Sequence, residues 1–248
     1  MKMKFINIPI VAVVLSMMIT SAVTAGCGDP SGWTVTDSFA RAEKLRINDY
    51  VTQYMFACQD ISDDNNFRLS DKKYLLDSAL AINKKLLMLQ PTKGYHVATK
   101  FGLLFFYQQY DSAMTVLNES KRLQQYLSHV QYPGYPDILR MHVEACKAEL
   151  DSNYTERNRL LEGIVSKLDP VVKKADERNI FREIRGLDIF SYYESHLYID
   201  YIFYISKIDP EKAQMVFDRF IERYPDQTEL ILFIERHFDV PLAWPTVL

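Results

Sequence analysis

Residues 75–90, LLDSALAINKKLLMLQ, carry the clearest structural pattern in the chain. Their apolar residues recur in steps of four and three, at Leu75, Ala79, Ile82, Leu86 and Leu89. This spacing places the five side chains on one face of an α-helix. Residues 91–94, PTKG, follow directly and end helical structure. The stretch therefore predicts an amphipathic helix from about residue 70 to residue 90.

Similar stripes extend along the chain in both directions, separated by proline, glycine and polar residues. Alternation with a period of two is absent over any useful length, so no strand is predicted. The connections are short, and neighbouring helices should therefore run antiparallel. We predict an all-α fold in a single helical domain over residues 36–248. The predicted helices span residues 36–58, 70–90, 95–109, 111–131, 137–150, 154–168, a segment opened by Pro170, 187–207, 210–224 and 227–237.

Composition supports a globular helical protein. Hydrophobic residues make up 48% of the chain and charged residues 25%, which is ordinary for a folded protein. Only 8 glycines occur in 248 residues, and this scarcity disfavours barrels, sandwiches and glycine-rich nucleotide loops. The net charge of −3 provides no broad basic surface, so nucleic acid is not expected as a partner.

Some spacings repeat at a period near 34 residues, such as Ala79 to Ala113. Pro91 follows Ala79 by 12 residues, and Pro225 follows Ala213 by 12 with Phe217 between them. This pattern resembles the second helix of a tetratricopeptide repeat. The fullest match, in which Gln109 replaces the usual turn glycine, comprises Phe101, Gly102, Phe105, Tyr110, Asp111 and Ala113, and a weaker copy comprises Ala145, Ala148, Tyr154 and Pro170. The resemblance covers residues 70–225 and implies antiparallel helix pairs stacked as a short solenoid. A compact, non-repetitive helical bundle is the alternative.

The N-terminal residues have the layout of a secretory signal peptide. Lys2 and Lys4 precede an uncharged apolar stretch over residues 5–19, and small residues then lead to Ala25-Gly26-Cys27. This ending resembles a bacterial lipobox, although Thr24 stands where that family usually has leucine. The resemblance implies a signal peptide over residues 1–26, lipid attachment at Cys27 and a tether over 27–35. Cleavage after Ala25 is the alternative and would give a soluble periplasmic or secreted protein.

Lipidation at Cys27 would place the protein in the bacterial cell envelope. An aspartate after the cysteine favours retention in the inner membrane of enteric bacteria, and Gly28 stands there instead. The resemblance therefore points to the outer membrane, with the protein facing the periplasm. The membrane is then a partner through the lipid anchor.

Two further cysteines, Cys58 and Cys146, each lie in the apolar stripe of a predicted helix. They could be two buried thiols or, in an oxidising compartment, a disulfide. Three predicted helices separate them, and helices of a solenoid contact mainly their neighbours in sequence. The solenoid therefore predicts free thiols, whereas a closed bundle permits the disulfide.

Motifs that carry known chemistry are absent from the sequence. There is no G-x-S-x-G, Walker loop, H-E-x-x-H or C-x-x-C. His196 and Asp200 share a helical face but form only half a metal site, and we interpret His196 as a surface or capped histidine. The acidic residues 60–66 lack the glycine and glutamate of a calcium loop. We therefore predict no catalytic residue, no metal and no cofactor.

Residues 190–205 contain seven aromatic residues. Apolar residues occur nearly all round this predicted helix, so it should be central and contacted on several sides. Its tyrosines are either core residues or the lining of a groove for a peptide or partner helix. The candidate groove residues are Tyr192, Tyr193, Tyr198, Tyr201 and Tyr204.

These features favour a non-enzymatic interaction protein that is tethered in the envelope and binds another protein or peptide. An immunity or inhibitor lipoprotein directed against a toxin or hydrolase belongs to the same class. An envelope hydrolase that uses glutamate or aspartate as acid and base is the alternative from a different class.

Overall fold

The computed structural model describes residues 35–60, 73–130, 132, 134–184, 192–235 and 242. These residues form ten helices and contain no strand. The prediction of an all-α fold is confirmed. Residues 61–66 of the acidic segment and Cys27, the predicted lipid-attachment residue, lie outside the described residues.

The chain divides into two compact units, with the boundary between Tyr126 and Leu127. The single domain over residues 36–248 stays a prediction. In the first unit, each of the first four helices packs on its neighbour in sequence. The helices are α1 (Val35–Asp60), α2 (Lys73–Leu89), α3 (Gly94–Phe106), α4 (Tyr110–Glu119) and α5 (Lys121–Val130), which contains the boundary.

The second unit is organised around one helix. The helices are α6 (Tyr135–Leu150), α7 (Tyr154–Ile184), α8 (Tyr192–Ser206), α9 (Pro210–Arg223) and α10 (Thr228–Glu235). Helix α6 packs on α7, while α8 packs on α7, α9 and α10. The aromatic helix α8 is therefore contacted on several sides, as its sequence predicts.

Two interhelical turns have the same geometry. Residues 107–109 join α3 to α4, and residues 151–153 join α6 to α7. Their middle residues have positive φ angles, 56° at Gln108 and 58° at Ser152. In each turn the N–H of the following residue donates a hydrogen bond to the carbonyl five residues earlier. These bonds run from Gln109 to Leu104 and from Asn153 to Ala148. This is the Schellman ending of a helix, in which glycine usually occupies the left-handed position. The left-handed position of the first turn is thus Gln108.

Ser120 divides the predicted helix over 111–131 into α4 and α5. Its hydroxyl accepts a hydrogen bond from the Leu123 N–H at 3.2 Å, which caps the start of α5. The Gln124 amide donates to the carbonyls of Leu117 and Asn118 at the end of α4. The break is therefore stabilised on both sides.

Pro170, which we expected to open a new helix, lies inside the 31-residue helix α7. A proline in a helix interior removes one backbone hydrogen bond and usually breaks or kinks the helix. Contacts with α8 hold α7 on both sides of the proline, because Tyr201 donates to Asp169 and Tyr198 donates to Asp176. Tertiary packing therefore keeps the helix continuous.

Most of the residues that carry the tetratricopeptide resemblance lie in the core, whereas Asp111, Tyr154 and the prolines at 91, 170 and 225 are exposed. Phe101, Phe105 and Ala113 are fully buried where α3 packs on α4, and Ala79 and Ala213 are fully buried in their own helices. Packing between sequence neighbours is also what a helical repeat requires. The solenoid and the repeat stay predictions.

Candidate functional site

The predicted aromatic site falls in the second unit, on α8. Tyr198 and Tyr204 are buried core residues, whereas Tyr201 is half-buried. Tyr192 and Tyr193 belong to α8, but their side chains lie outside the described residues. Tyr198 and Tyr204 thus act as core residues in this structure and offer no surface to a ligand.

Two tyrosine hydroxyl groups donate hydrogen bonds to the same carboxylate on α7. Tyr198 and Tyr224 both donate to Asp176, the second at 3.0 Å, and their oxygens lie 3.4 Å apart. Burial and the hydrogen bond to Asp176 raise the pKa of Tyr198 far above its ordinary value. Asn179 donates to the Tyr224 oxygen at 3.4 Å. These contacts join α7, α8 and α9 and fix their orientation.

Asp200 on α8 has a buried carboxyl group. Tyr132 donates a hydrogen bond to it at 2.7 Å, and its side chain is only 4% exposed. Burial raises the pKa of Asp200 to about 7, although the hydrogen bond from Tyr132 opposes the rise. The carboxyl group therefore titrates near neutral pH.

His196 lies one turn before Asp200 and is buried, so its interpretation as a surface residue was wrong. Burial lowers the pKa of His196 to about 4, which keeps the ring neutral. Among the residues that the structure describes, no three His, Cys, Asp or Glu side chains come close enough to hold a metal ion.

Cys146 and His142 form a buried pair on α6. The Cys146 Sγ lies 3.5 Å from His142 Nε2, and the thiol donates to the carbonyl of Leu242 at 3.4 Å. Cys146 is a free thiol, while the side chain of Cys58 lies outside the described residues. Burial raises the pKa of Cys146 and lowers that of His142 to about 3. A protonated thiol beside a neutral imidazole is a packed core pair and not an activated nucleophile.

A second polar cluster lies in the first unit, where α1, α2 and α3 pack. Gln90 is its centre: its Oε1 accepts from Tyr95 Oη at 3.1 Å and from His96 Nε2 at 2.9 Å, and its Nε2 donates to Asp37 at 2.9 Å. Asn83 donates to the backbone carbonyl of His96 at 3.0 Å. We call Asp37, Lys44, Asn83, Gln90, Tyr95 and His96 the α3 polar cluster.

Lys44 is the charged member of the α3 polar cluster. Its side chain is buried, and its ammonium group lies 4.1 Å from the centre of the Tyr95 ring. Burial lowers the pKa of Lys44 to about 8. Burial and then the charges of Lys44 and Lys93 lower the pKa of His96 to about 4. Near neutral pH the cluster therefore holds a cationic lysine beside a neutral histidine.

The α3 polar cluster was not predicted from the sequence, yet the sequence contains a signal for it. Lys44 continues a stripe of buried residues on α1 in steps of four and three, namely Ala40, Lys44, Ile47, Val51 and Tyr54. A lysine at such a position indicates a buried charge. Asn83 interrupts the buried face of α2 in the same way.

No helix in the described part of the chain is long and apolar enough to cross a membrane. The chain matches no protein family model, no curated protein and no solved structure.

Proposed function

We propose that this protein is a non-enzymatic interaction protein of the bacterial envelope, which binds another protein or peptide through the surface of its stacked helices. The supporting sequence feature is the signal peptide over residues 1–26, followed by Cys27 as the lipid-attachment residue. The anchor would hold the helical units at the membrane surface, where they meet partners in the periplasm.

The packing order of the helices is the observation that carries this proposal. In the first unit α1 packs on α2, α2 on α3 and α3 on α4. A chain that stacks helices in sequence order presents extended surfaces, which helical-repeat proteins use for binding. Large exposed apolar side chains occur on α1 and α2, namely Phe39, Leu45, Tyr74, Met88 and Leu89. Methionine and aromatic residues are enriched in protein interfaces.

The roles of the buried polar groups also favour a binding function. Tyr198, Tyr224 and Asn179 connect helices, and Asp176 accepts hydrogen bonds from both tyrosines. The thiol of Cys146 stays protonated and bonds a backbone carbonyl. These polar groups stabilise the packing and leave partner recognition to the surface.

The binding surface can be tested with charge substitutions on α2. The full chain and the double variant Met88→Glu/Leu89→Glu would be cross-linked in the bacterial envelope and purified. Both side chains are exposed, so the fold should be retained, which circular dichroism can check. We expect the parent chain to retain one stoichiometric partner that the double variant loses.

Met215→Glu is the control, because Met215 is 56% exposed, between Leu89 at 50% and Met88 at 76%, but lies on α9 in the second unit. It should retain the partner. Equal recovery of the partner with all three chains would contradict the placement of the surface on α2. Absence of any stoichiometric partner would contradict the proposed function.

The membrane anchor requires its own test. Cys27→Ser should abolish labelling by a fatty acid and move the protein from the membrane fraction to the soluble fraction. Cys146→Ser is a suitable control because Cys146 is buried in the second unit. A parent chain that is soluble and begins at Gly26 would show that the lipobox interpretation is wrong.

A further inference from the structure

The outer face of α1 changes character along its length. Val35, Phe39 and Ala42 follow each other in steps of four and three and are exposed, so they form an apolar stripe that is turned away from the core. Val35 is 89% exposed and Phe39 is 45% exposed. The same face then continues with exposed polar residues, namely Arg46, Asp49 and Gln53. The apolar part of this face is therefore confined to the first two turns of the helix.

Chain length relates these two turns to the lipid anchor. Val35 comes eight residues after Cys27, the lipid-attachment residue of the proposed function. Eight residues span at most about 29 Å when the chain is fully extended. The other end of α1, at Asp60, lies roughly 38 Å further along the helix axis. The tether therefore keeps the apolar turns within reach of the bilayer and sets no such limit on the far end of the helix.

Two cations lie at the same end of the first unit. Gln90 donates to Asp37 at 2.9 Å, which holds the turn between α2 and α3 against the start of α1. This turn contains the exposed Lys93, and the exposed Arg122 donates to the carbonyl of Pro91 in the same turn. The two cations outnumber Asp37, the carboxylate in these contacts. Basic residues close to exposed apolar side chains are typical of surfaces that bind anionic membranes.

A protein or a lipid bilayer could cover an exposed apolar stripe, and the tether favours the bilayer. Side chains a few residues from a covalent anchor always have lipid within reach, whereas a soluble partner must diffuse to them. The change from apolar to polar side chains after Ala42 also fits a bilayer surface, because only the anchored end of the helix would then enter it. Met88 and Leu89 lie on α2 and remain available to the protein partner of the proposed function.

We propose that the first two turns of α1 form a membrane-contact surface, in which Val35 and Phe39 enter the headgroup region of the bilayer while Lys93 and Arg122 bind the phosphates of anionic lipids. Apolar side chains of membrane-surface helices are buried at the boundary between headgroups and acyl chains. The contact would fix the orientation of the first unit, which a flexible tether alone leaves free to rotate. The inference goes beyond the binding of a protein partner, but it rests on the lipid attachment in the proposed function.

Tryptophan fluorescence in vesicles tests the contact. The full chain would be purified with its lipid and reconstituted into vesicles of phosphatidylethanolamine and phosphatidylglycerol, with or without bromine on the acyl chains. Bromine quenches a tryptophan only when the two are close together. After subtraction of the emission of the parent chain, which contains 2 tryptophans, Phe39→Trp should lose most of its added emission in brominated vesicles. Val35→Trp, at a more exposed position, should give the same result even if Phe39→Trp fails to fold.

Gln53→Trp is the matched control for these variants. Gln53 is exposed on the same face of α1 and lies roughly 21 Å beyond Phe39 along the helix axis. Its added emission should be quenched far less. Equal quenching at positions 39 and 53, or no quenching at positions 35 and 39, would overturn the proposal.

Vesicles of phosphatidylcholine test the part played by the cations. These vesicles have no net charge, so the quenching of Phe39→Trp should be weaker in them than in vesicles that contain phosphatidylglycerol. Equal quenching in the two kinds of vesicle would contradict the role assigned to Lys93 and Arg122.

Flotation of the vesicles separates this inference from the proposed function. A parent chain that does not float with the vesicles would refute the lipid anchor and the inference with it. A chain that floats while Phe39→Trp and Val35→Trp stay unquenched would retain the anchor and overturn the contact alone. The protein partner is measured independently, by the cross-linking experiment on α2.

Discussion

Asp200 couples the stability of the second unit to pH. Its carboxyl group is buried, with a pKa of about 7 in the folded chain against an ordinary value of 3.8. Unfolding exposes the group and lowers its pKa, so between these two values the folded state holds a proton that the unfolded state releases. This carboxyl group therefore favours folding most at low pH, and its contribution falls as the pH rises toward 7.

The substitution Asp200→Asn tests this coupling. Asparagine does not ionise, so the variant should gain stability relative to the parent as the pH rises from 5 to 7. The gain should approach about 1.4 kcal/mol per pH unit in that interval and level off above pH 7. Urea unfolding of both chains at a series of pH values measures the difference. The buried histidines titrate in both proteins, so their effects cancel, and a difference that does not change with pH would contradict the assignment.

Individual buried positions show why the polar cluster escaped prediction. Leu89 continues the apolar stripe of α2 but is exposed, while the neighbouring Gln90 is buried. Gln90 is buried because Tyr95, His96 and Asp37 satisfy its amide group. The spacing of apolar residues identifies a helix face but does not reveal these hydrogen-bond partners, which lie on two other helices.

The turn between α6 and α7 holds its middle residue, Ser152, in an unfavourable backbone conformation. Ser152 has a φ angle of 58° and is exposed. A non-glycine residue in this left-handed conformation costs about 1–2 kcal/mol, whereas glycine adopts it without steric penalty. The Schellman hydrogen bonds of the turn use backbone atoms, so they do not depend on the serine side chain.

We therefore expect Ser152→Gly to stabilise the protein, by about 1 kcal/mol after the larger entropy loss of glycine. Ser152→Ala retains the Cβ atom and should not have this effect. Chemical denaturation of the two variants distinguishes them. Equal midpoints would show that the left-handed conformation carries no strain.

Ala113 tests the contact between α3 and α4. It is fully buried on α4, and the turn at residues 107–109 holds the two helices together. Ala113→Leu should overpack this contact and destabilise the protein by roughly 1–3 kcal/mol. Ser112→Leu, at an exposed position of the same helix, is the control and should have little effect. An unchanged unfolding midpoint for Ala113→Leu would show that the contact has room to spare.

The elements themselves were largely predictable, because their apolar stripes and punctuating residues are local. The two errors, at Ser120 and Pro170, have a common physical origin. Ser120 ends one helix because capping by Ser120 and Gln124 stabilises the break. Pro170 fails to end another because Tyr198 and Tyr201 hold α7 on both sides of it. In both cases hydrogen bonds made by side chains outweigh the intrinsic helix propensity of the residue.

For the whole molecule, composition and periodicity were sufficient to predict the all-α class. The aromatic segment was correctly predicted to be a central helix, since α8 packs on α7, α9 and α10. Its five tyrosines could not be assigned from the sequence to a groove or to the core. That choice depends on acceptors such as Asp169 and Asp176, which lie more than 20 residues away and reach the tyrosines only through the packing of α7 on α8.

The packing of α1, α2, α3 and α4, each on its neighbour in sequence, has a consequence for the way the chain acquires its structure. As the chain emerges from the ribosome or from a translocation channel, a newly formed helix needs only the next one to bury its apolar face. Contacts close in sequence have a low cost of loop closure, and folding that relies on them is fast. The first unit could then assemble progressively, starting with α1 and α2, before the aromatic helix α8 has been synthesised. Vectorial folding of this kind would limit the time for which apolar surface is exposed to aggregation.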